Sequence, residues 1–179
     1  MHRIVVAPLL VLLLLLTDST AAASEAEKFK GIEPPEKGYV RLYVFRPAFS
    51  EDLRYENPLV VIDGTESFQL AYKSYTSLLL KSGAHEISTR PNVGESEIWN
   101  GRINVSLDEN RVYFLAVWND TTIGGGSLGA VTPYLGLLGV VIDRSENSTG
   151  VRFEFVTEKD ATATLKDMAY VRNKAETGP

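Results

Sequence analysis

Residues 99–118 read WNGRINVSLDENRVYFLAVW, and they decide the fold class. Trp99, Ile103, Val105 and Leu107 fall on one side of an extended chain. Asn100, Arg102, Asn104 and Ser106 fall on the other. Side chains alternate across a strand, so this spacing predicts a strand with one buried and one solvated face. Asp108-Glu109-Asn110 turns the chain. Val112 to Trp118 are then apolar at successive positions, as expected of a central strand covered on both faces.

The same period extends outward in both directions. Val40, Leu42 and Val44 alternate with Tyr39, Arg41, Tyr43 and Phe45, and the run stops at Arg46-Pro47. Leu59–Ile62 is a short apolar strand closed by Asp63-Gly64, a strong tight-turn pair. Phe68–Leu70, Ser77–Leu80 and Ala84–Thr89 follow, the last after a turn at Gly83. Val151, Phe153 and Phe155 alternate with Arg152 and Glu154. Thr157 then reads as an N-cap with Asp160 at N3, opening a helix whose apolar side is Ala161, Leu165 and Met168. Seven to eight short strands and one short C-terminal helix predict a mainly β chain, an antiparallel β-sandwich, over a single domain at 39–172. Residues 24–38 read as a flexible arm and 173–179 as a disordered tail.

Composition narrows the chemistry. The chain has 179 residues, 44% of them apolar, with 18 Lys+Arg, 23 Asp+Glu, two His and no Cys. No disulfide or thiolate metal site can form. A net charge of −5 opposes nucleic-acid binding, which needs cations to displace counterions. Residues 1–23 read as a signal peptide. Arg3 precedes an apolar run, Ile4–Leu16, that is too short to span a bilayer as a helix. Ala21 and Ala23 place small residues at −3 and −1 for cleavage before Ser24. Export to the periplasm or outside the cell is the expectation.

The stretch 121–142 holds no charged side chain, within an apolar Gly-rich insertion at about 121–150. Gly124, Gly125, Gly126 and Gly129 precede Leu135, Leu137 and Leu138, and Pro133 interrupts them. Gly and Pro weaken a membrane helix, so the primary expectation is a loop and then a strand, Leu135–Ile142, on the sandwich. Membrane contact or self-association through this segment is the alternative. Gly124-x-Gly126-x-x-Gly129 matches a dinucleotide fingerprint in letters only, because no strand–helix unit surrounds it.

His85 is the sole imidazole beyond the leader, and it sits at a strand start, where a structural role is expected. One His and no Cys do not make a zinc site. Carboxylates cluster at Glu51-Asp52, Glu95 with Glu97, Asp108-Glu109 and Glu158 with Asp160. Each reads as a turn or helix start, with a two-carboxylate hydrolase as the enzymatic alternative. No cofactor is expected. Asn104, Asn119 and Asn147 open Asn-x-Ser/Thr triplets, Asn104 being the poorest acceptor because it lies on a strand. Tyr39, Tyr43, Phe45, Tyr72, Tyr75, Tyr113, Trp99 and Trp118 are expected mainly in the core, with a ligand platform as the competing role.

The order "strand, Arg46-Pro47, loop, strand, Asp63-Gly64", the Leu78–His85 piece, the Val112–Leu115 strand and Phe153–Glu158 resemble an uncharacterised bacterial family of secreted proteins and lipoproteins. Val60–Ile87 is also similar to the PEGA-type surface-layer module. The resemblance covers about 39–120 and 151–171. It implies a non-catalytic accessory or binding module of the cell envelope, partnered by an envelope protein or glycan. Without Cys, the chain is not expected to be a Cys-linked lipoprotein. An exported chain should begin at Ser24 when its intact mass is measured, and recovery of the full-length mass would exclude cleavage there.

Overall fold

The computed structural model describes residues 28–48, 53–119, 141–144 and 150–174. The signal-peptide residues Ala21, Ala23 and Ser24, and the insertion residues Gly124, Gly125, Gly126, Gly129, Leu135, Leu137 and Leu138, lie outside this set. Among the described residues, ten strands form two five-stranded sheets, a mainly β fold with one short helix.

Sheet I contains β1 (Tyr39–Arg46), β4 (Ser74–Lys81), β7 (Val112–Asn119), β9 (Val151–Phe155) and β10 (Ala169–Tyr170), ordered β10-β4-β1-β7-β9. Sheet II contains β2 (Leu59–Ile62), β3 (Thr65–Gln69), β5 (Gly83–Arg90), β6 (Gly101–Leu107) and β8 (Val141–Arg144), ordered β3-β2-β5-β6-β8. Most neighbours are antiparallel, as expected. The exceptions are β1 with β7, registered Arg41 to Val112 through Phe45 to Ala116, and β10 with β4. A parallel pair cannot be closed by a hairpin and needs a long connection. Here that connection carries β2, β3, β5 and β6, so making the β1–β7 pair also builds most of the second sheet.

Between the sheets lies the main core. Val40, Leu42, Val44, Leu115, Val117 and Phe153 from sheet I meet Val60, Ile87, Ile103, Val105 and Leu107 from sheet II. Trp99 belongs to a 3₁₀ turn, Glu97–Trp99, rather than to the strand, but it is fully buried on the expected face. The opposite face of sheet I is buried too. Tyr43, Phe45, Tyr75, Phe114 and Ala116 form a second core with Ala161, Leu165 and Met168. Ala161 and Leu165 come from α1 (Glu158–Leu165), whose N-cap Thr157 accepts a bond from the Asp160 amide at 3.3 Å.

Two segments differ from the sequence expectation. Residues 28–38, expected as a flexible arm, lie along sheet I. Lys28 bridges Ala169, and Phe29 and Ile32 pack on the second core. The reason is apolar: Tyr43, Tyr75 and Phe114 need covering beyond the reach of an eight-residue helix. Likewise Asn173 and Lys174, expected in a disordered tail, are held. Asn173 donates to the Ser77 carbonyl at 3.0 Å, and the Lys174 amide donates to Ser67 of sheet II at 2.8 Å. The Lys174 ammonium, 2.7 Å from Glu66, together with Arg90 holds the Glu66 carboxyl below the ordinary glutamate range.

At one end of the sandwich the last inward position of β1 is Arg46, 1% exposed. Its guanidinium donates to the carbonyls of Glu56 at 2.5 Å and Leu53 at 2.7 Å. It also lies 4.4 Å from the Trp99 ring centroid. The Glu56 carboxylate accepts from Trp99 Nε1 at 2.6 Å and from the Ser96 amide at 3.2 Å. Burial lowers the Arg46 pKa to about 10 against the pull of Glu56, Glu95 and Tyr72, so the group stays charged at neutral pH. This cluster ties the loop after β1 to the turn before β6. Arg46→Met strands those acceptors, and urea unfolding should show a loss of about 3–5 kcal/mol, the range for breaking a buried charged contact from one side.

Candidate functional site

Four segments line a groove of about 260 Å³ on the outer face of sheet I. The alternation that buries Val40, Leu42 and Val44 turns Arg41 and Tyr43 outward. The neighbouring strand β4 turns Tyr75 and Ser77 the same way, in register with Phe45 and Tyr43. Tyr170 ends β10, and Arg172 follows it. Lys28, Phe29, Lys30, Gly31 and Glu33 of the arm form the remaining wall. Gly31 has φ +129°, a conformation that a side chain would oppose, and lets the arm bend there.

Aromatic contacts fix this wall. The Phe29 ring meets Tyr43 edge-on at 6.1 Å and Tyr75 at 5.7 Å. Tyr43 stacks on Phe114 at 5.3 Å, and Tyr75 lies 5.3 Å from Tyr170. The Tyr43 hydroxyl accepts the Glu33 amide at 2.9 Å, binding the arm by its backbone. Beside this floor, the Arg41 guanidinium lies 3.3 Å from the Glu33 carboxylate and 3.4 Å from Ser77 Oγ. Its Nε is buried without a hydrogen-bond partner. Four cations, Lys28, Lys30, Arg41 and Arg172, thus line the groove with one carboxylate, Glu33.

The turn residues singled out in the sequence collect elsewhere. Asp63 and Gly64 have φ of +50° and +76°, the two positive values that a tight β-hairpin turn between β2 and β3 requires. The Asp63 carboxylate accepts the Glu86 amide at 2.9 Å and meets His85 Nδ1 at 2.7 Å. His85 Nε2 lies 2.7 Å from the Lys81 carbonyl. Together these bonds fasten the β2–β3 hairpin to the β4–β5 turn at Gly83. Both nitrogens of the ring are engaged by the fold.

Several members of the carboxylate clusters are tied into the fold. Glu95 accepts the amides of Asn57 at 2.6 Å and Asn92 at 3.0 Å, and Asp160 belongs to the helix cap. Asp108 faces Arg111 at 3.8 Å, its amide donating to the Tyr113 hydroxyl at 3.0 Å. Burial raises the Tyr113 pKa. Glu51-Asp52 lie outside the described residues. Of the Asn-x-Ser/Thr positions, Asn104 is exposed and Asn119 is 4% exposed, the reverse of the sequence ranking for these two. Asn119 sits at the inward position ending β7, whereas β6 turns Asn104 to solvent. Among the described residues, no helix is long and apolar enough to cross a membrane.

A second depression, of about 410 Å³, lies between β3 and residues 171–174 and shares Arg172. Its Glu66 and Lys174 already pair with each other.

No protein-family model matches the chain, and no solved structure matches it. It is 28% identical over 119 residues to an uncharacterized protein of Haemophilus influenzae. That alignment covers 63% of this chain, which thereby spans 64% of the relative's length.

The groove depends on the arm. Phe29→Ala removes two edge-on ring contacts and should cost on the order of 1–3 kcal/mol. Limited trypsin digestion should then cut faster after Lys28 and Lys30, and an unchanged rate would show that Phe29 does not hold the wall.

Proposed function

We propose that the chain is an exported, non-catalytic binding module of the bacterial cell envelope, and that its ligand lies in the groove between residues 28–33 and sheet I. The observation that carries this reading is the lining: four cations beside tyrosine and phenylalanine rings, in a chain whose net charge is −5. Pockets that recognise small ligands combine apolar walls with a few convergent polar groups, and the groove has this mixture. Rings offer faces and edges to a sugar or a peptide side chain, while the cations orient a polar substituent.

Support for a non-catalytic role comes from where the carboxylates are committed. Glu56, Glu95 and Asp63 each accept backbone amides that the fold needs, and the Asp160 carboxylate accepts the Thr157 hydroxyl of the helix cap. The leader-like residues 1–23 support export, and the resemblance to secreted bacterial proteins supports the envelope.

The test titrates peptidoglycan fragments and a panel of neutral hexoses into ¹⁵N-labelled protein. The expected result is saturable shifts confined to amides around Phe29, Tyr43, Tyr75 and Tyr170, abolished by Phe29→Ala combined with Tyr170→Ala. Turnover of any added fragment would overturn the non-catalytic reading. Shifts centred elsewhere would overturn the assignment of the groove.

A further inference from the structure

We infer that the groove recognises an oxyanion, a carboxylate or phosphate on a small ligand, and that Glu33 occupies that subsite until the ligand displaces it. This deepens the reading of the groove as a binding site and rests on it.

The argument starts from Arg41. Its stem rises from the middle of sheet I, and its side chain is only 17% exposed, so the head cannot swing freely. A guanidinium offers five donors in a planar fork that matches two oxygens of a carboxylate or phosphate. Here the fork is poorly used. Glu33 meets one terminal nitrogen at 3.3 Å, Ser77 meets the other at 3.4 Å, and the buried Nε has no hydrogen-bond partner. Burying an unused charged donor is costly unless something satisfies it. Glu33 is a weak occupant in another respect: its side chain is 69% exposed, where an ion pair contributes little. A ligand oxyanion that engages Nε and a terminal nitrogen together would use the fork better than Glu33 does. Arg172 and Lys28, which also line the groove, would complete the charge compensation.

The consequence has a definite sign. Removing Glu33 removes both a competitor for Arg41 and a negative charge at the mouth of the groove, so anion affinity should rise. Removing an exposed carboxylate on the same arm that does not line the groove, Glu36, should do much less.

The probes are inorganic phosphate and glucuronate, with glucose as the neutral control, at constant ionic strength. The readout is the Nε–Hε resonance of Arg41 in ¹H–¹⁵N spectra. Phosphate or glucuronate should shift it saturably, and glucose should not; whichever anion binds more tightly identifies the class of oxyanion. Glu33→Gln should tighten binding about three- to tenfold, against less than twofold for Glu36→Gln. Arg172→Met, at an exposed position, should weaken it several-fold while the circular dichroism spectrum is unchanged. Equal affinities in wild type and Glu33→Gln, or no saturable shift with either anion, would overturn the inference. If neutral hexoses or peptidoglycan fragments still bind among the groove aromatics in that case, the broader reading survives alone. If no probe perturbs the groove, both readings fall.

Discussion

The parallel contact between β1 and β7 is the constraint from which the rest of the molecule follows. Both strands are apolar at consecutive positions, so burying one face leaves another needing cover. The inward face is met by sheet II, which the long connection between the two strands itself supplies. The outward face, with Tyr43, Phe45, Phe114 and Ala116, needs a separate covering layer. One short helix covers part of it and residues 28–33 cover more. What remains between the arm and the edge of the sheet is the groove. The candidate site is therefore a by-product of incomplete coverage of a two-faced sheet.

Polar ties do the work that apolar burial cannot do at the ends of the sandwich. Arg46 gathers the loop carbonyls of Leu53 and Glu56 while resting on Trp99, and Asp63 with His85 fastens two turns together. Arg46 and Asp63 each direct hydrogen bonds to the backbone, and Asp63 also holds the His85 ring. Such groups specify which loop docks where, because an apolar residue of similar size would accept many neighbours.

Much of this was legible in the sequence. Alternation in 99–107 and 151–155 reports one buried face, the unbroken run 112–118 reports two, and Asp63-Gly64 and Thr157–Asp160 report their turn and cap. These signals are local, with periods of two or four residues. The parallel register of β1 on β7 was not legible, because it joins Arg41 to Val112 and local patterning carries no partner identity. The groove was half visible. Tyr43 and Tyr75 belong to the aromatic set that offers a platform, but Phe29 and Glu33 lie in a segment whose polarity suggests a free arm, and Tyr170 and Arg172 close the predicted domain with no pattern that links them to β1 or β4. Phe29 and Ile32, spaced three apart in an otherwise polar arm, and the β-prone Tyr170-Val171 after the helix were the available hints. Only a tertiary partner turns such short signals into structure.

Lys28 bridges Ala169, so one wall of the groove comes from the start of the described chain and another from its end. The groove therefore cannot form until the C-terminal segment has joined the sheet. A chain emerging vectorially, first residues leading, would present the arm early but with nothing opposite it. Ligand capture would then report completion of the whole domain, and a bound ligand would act as a clasp across the two ends, slowing their separation under load or protease attack.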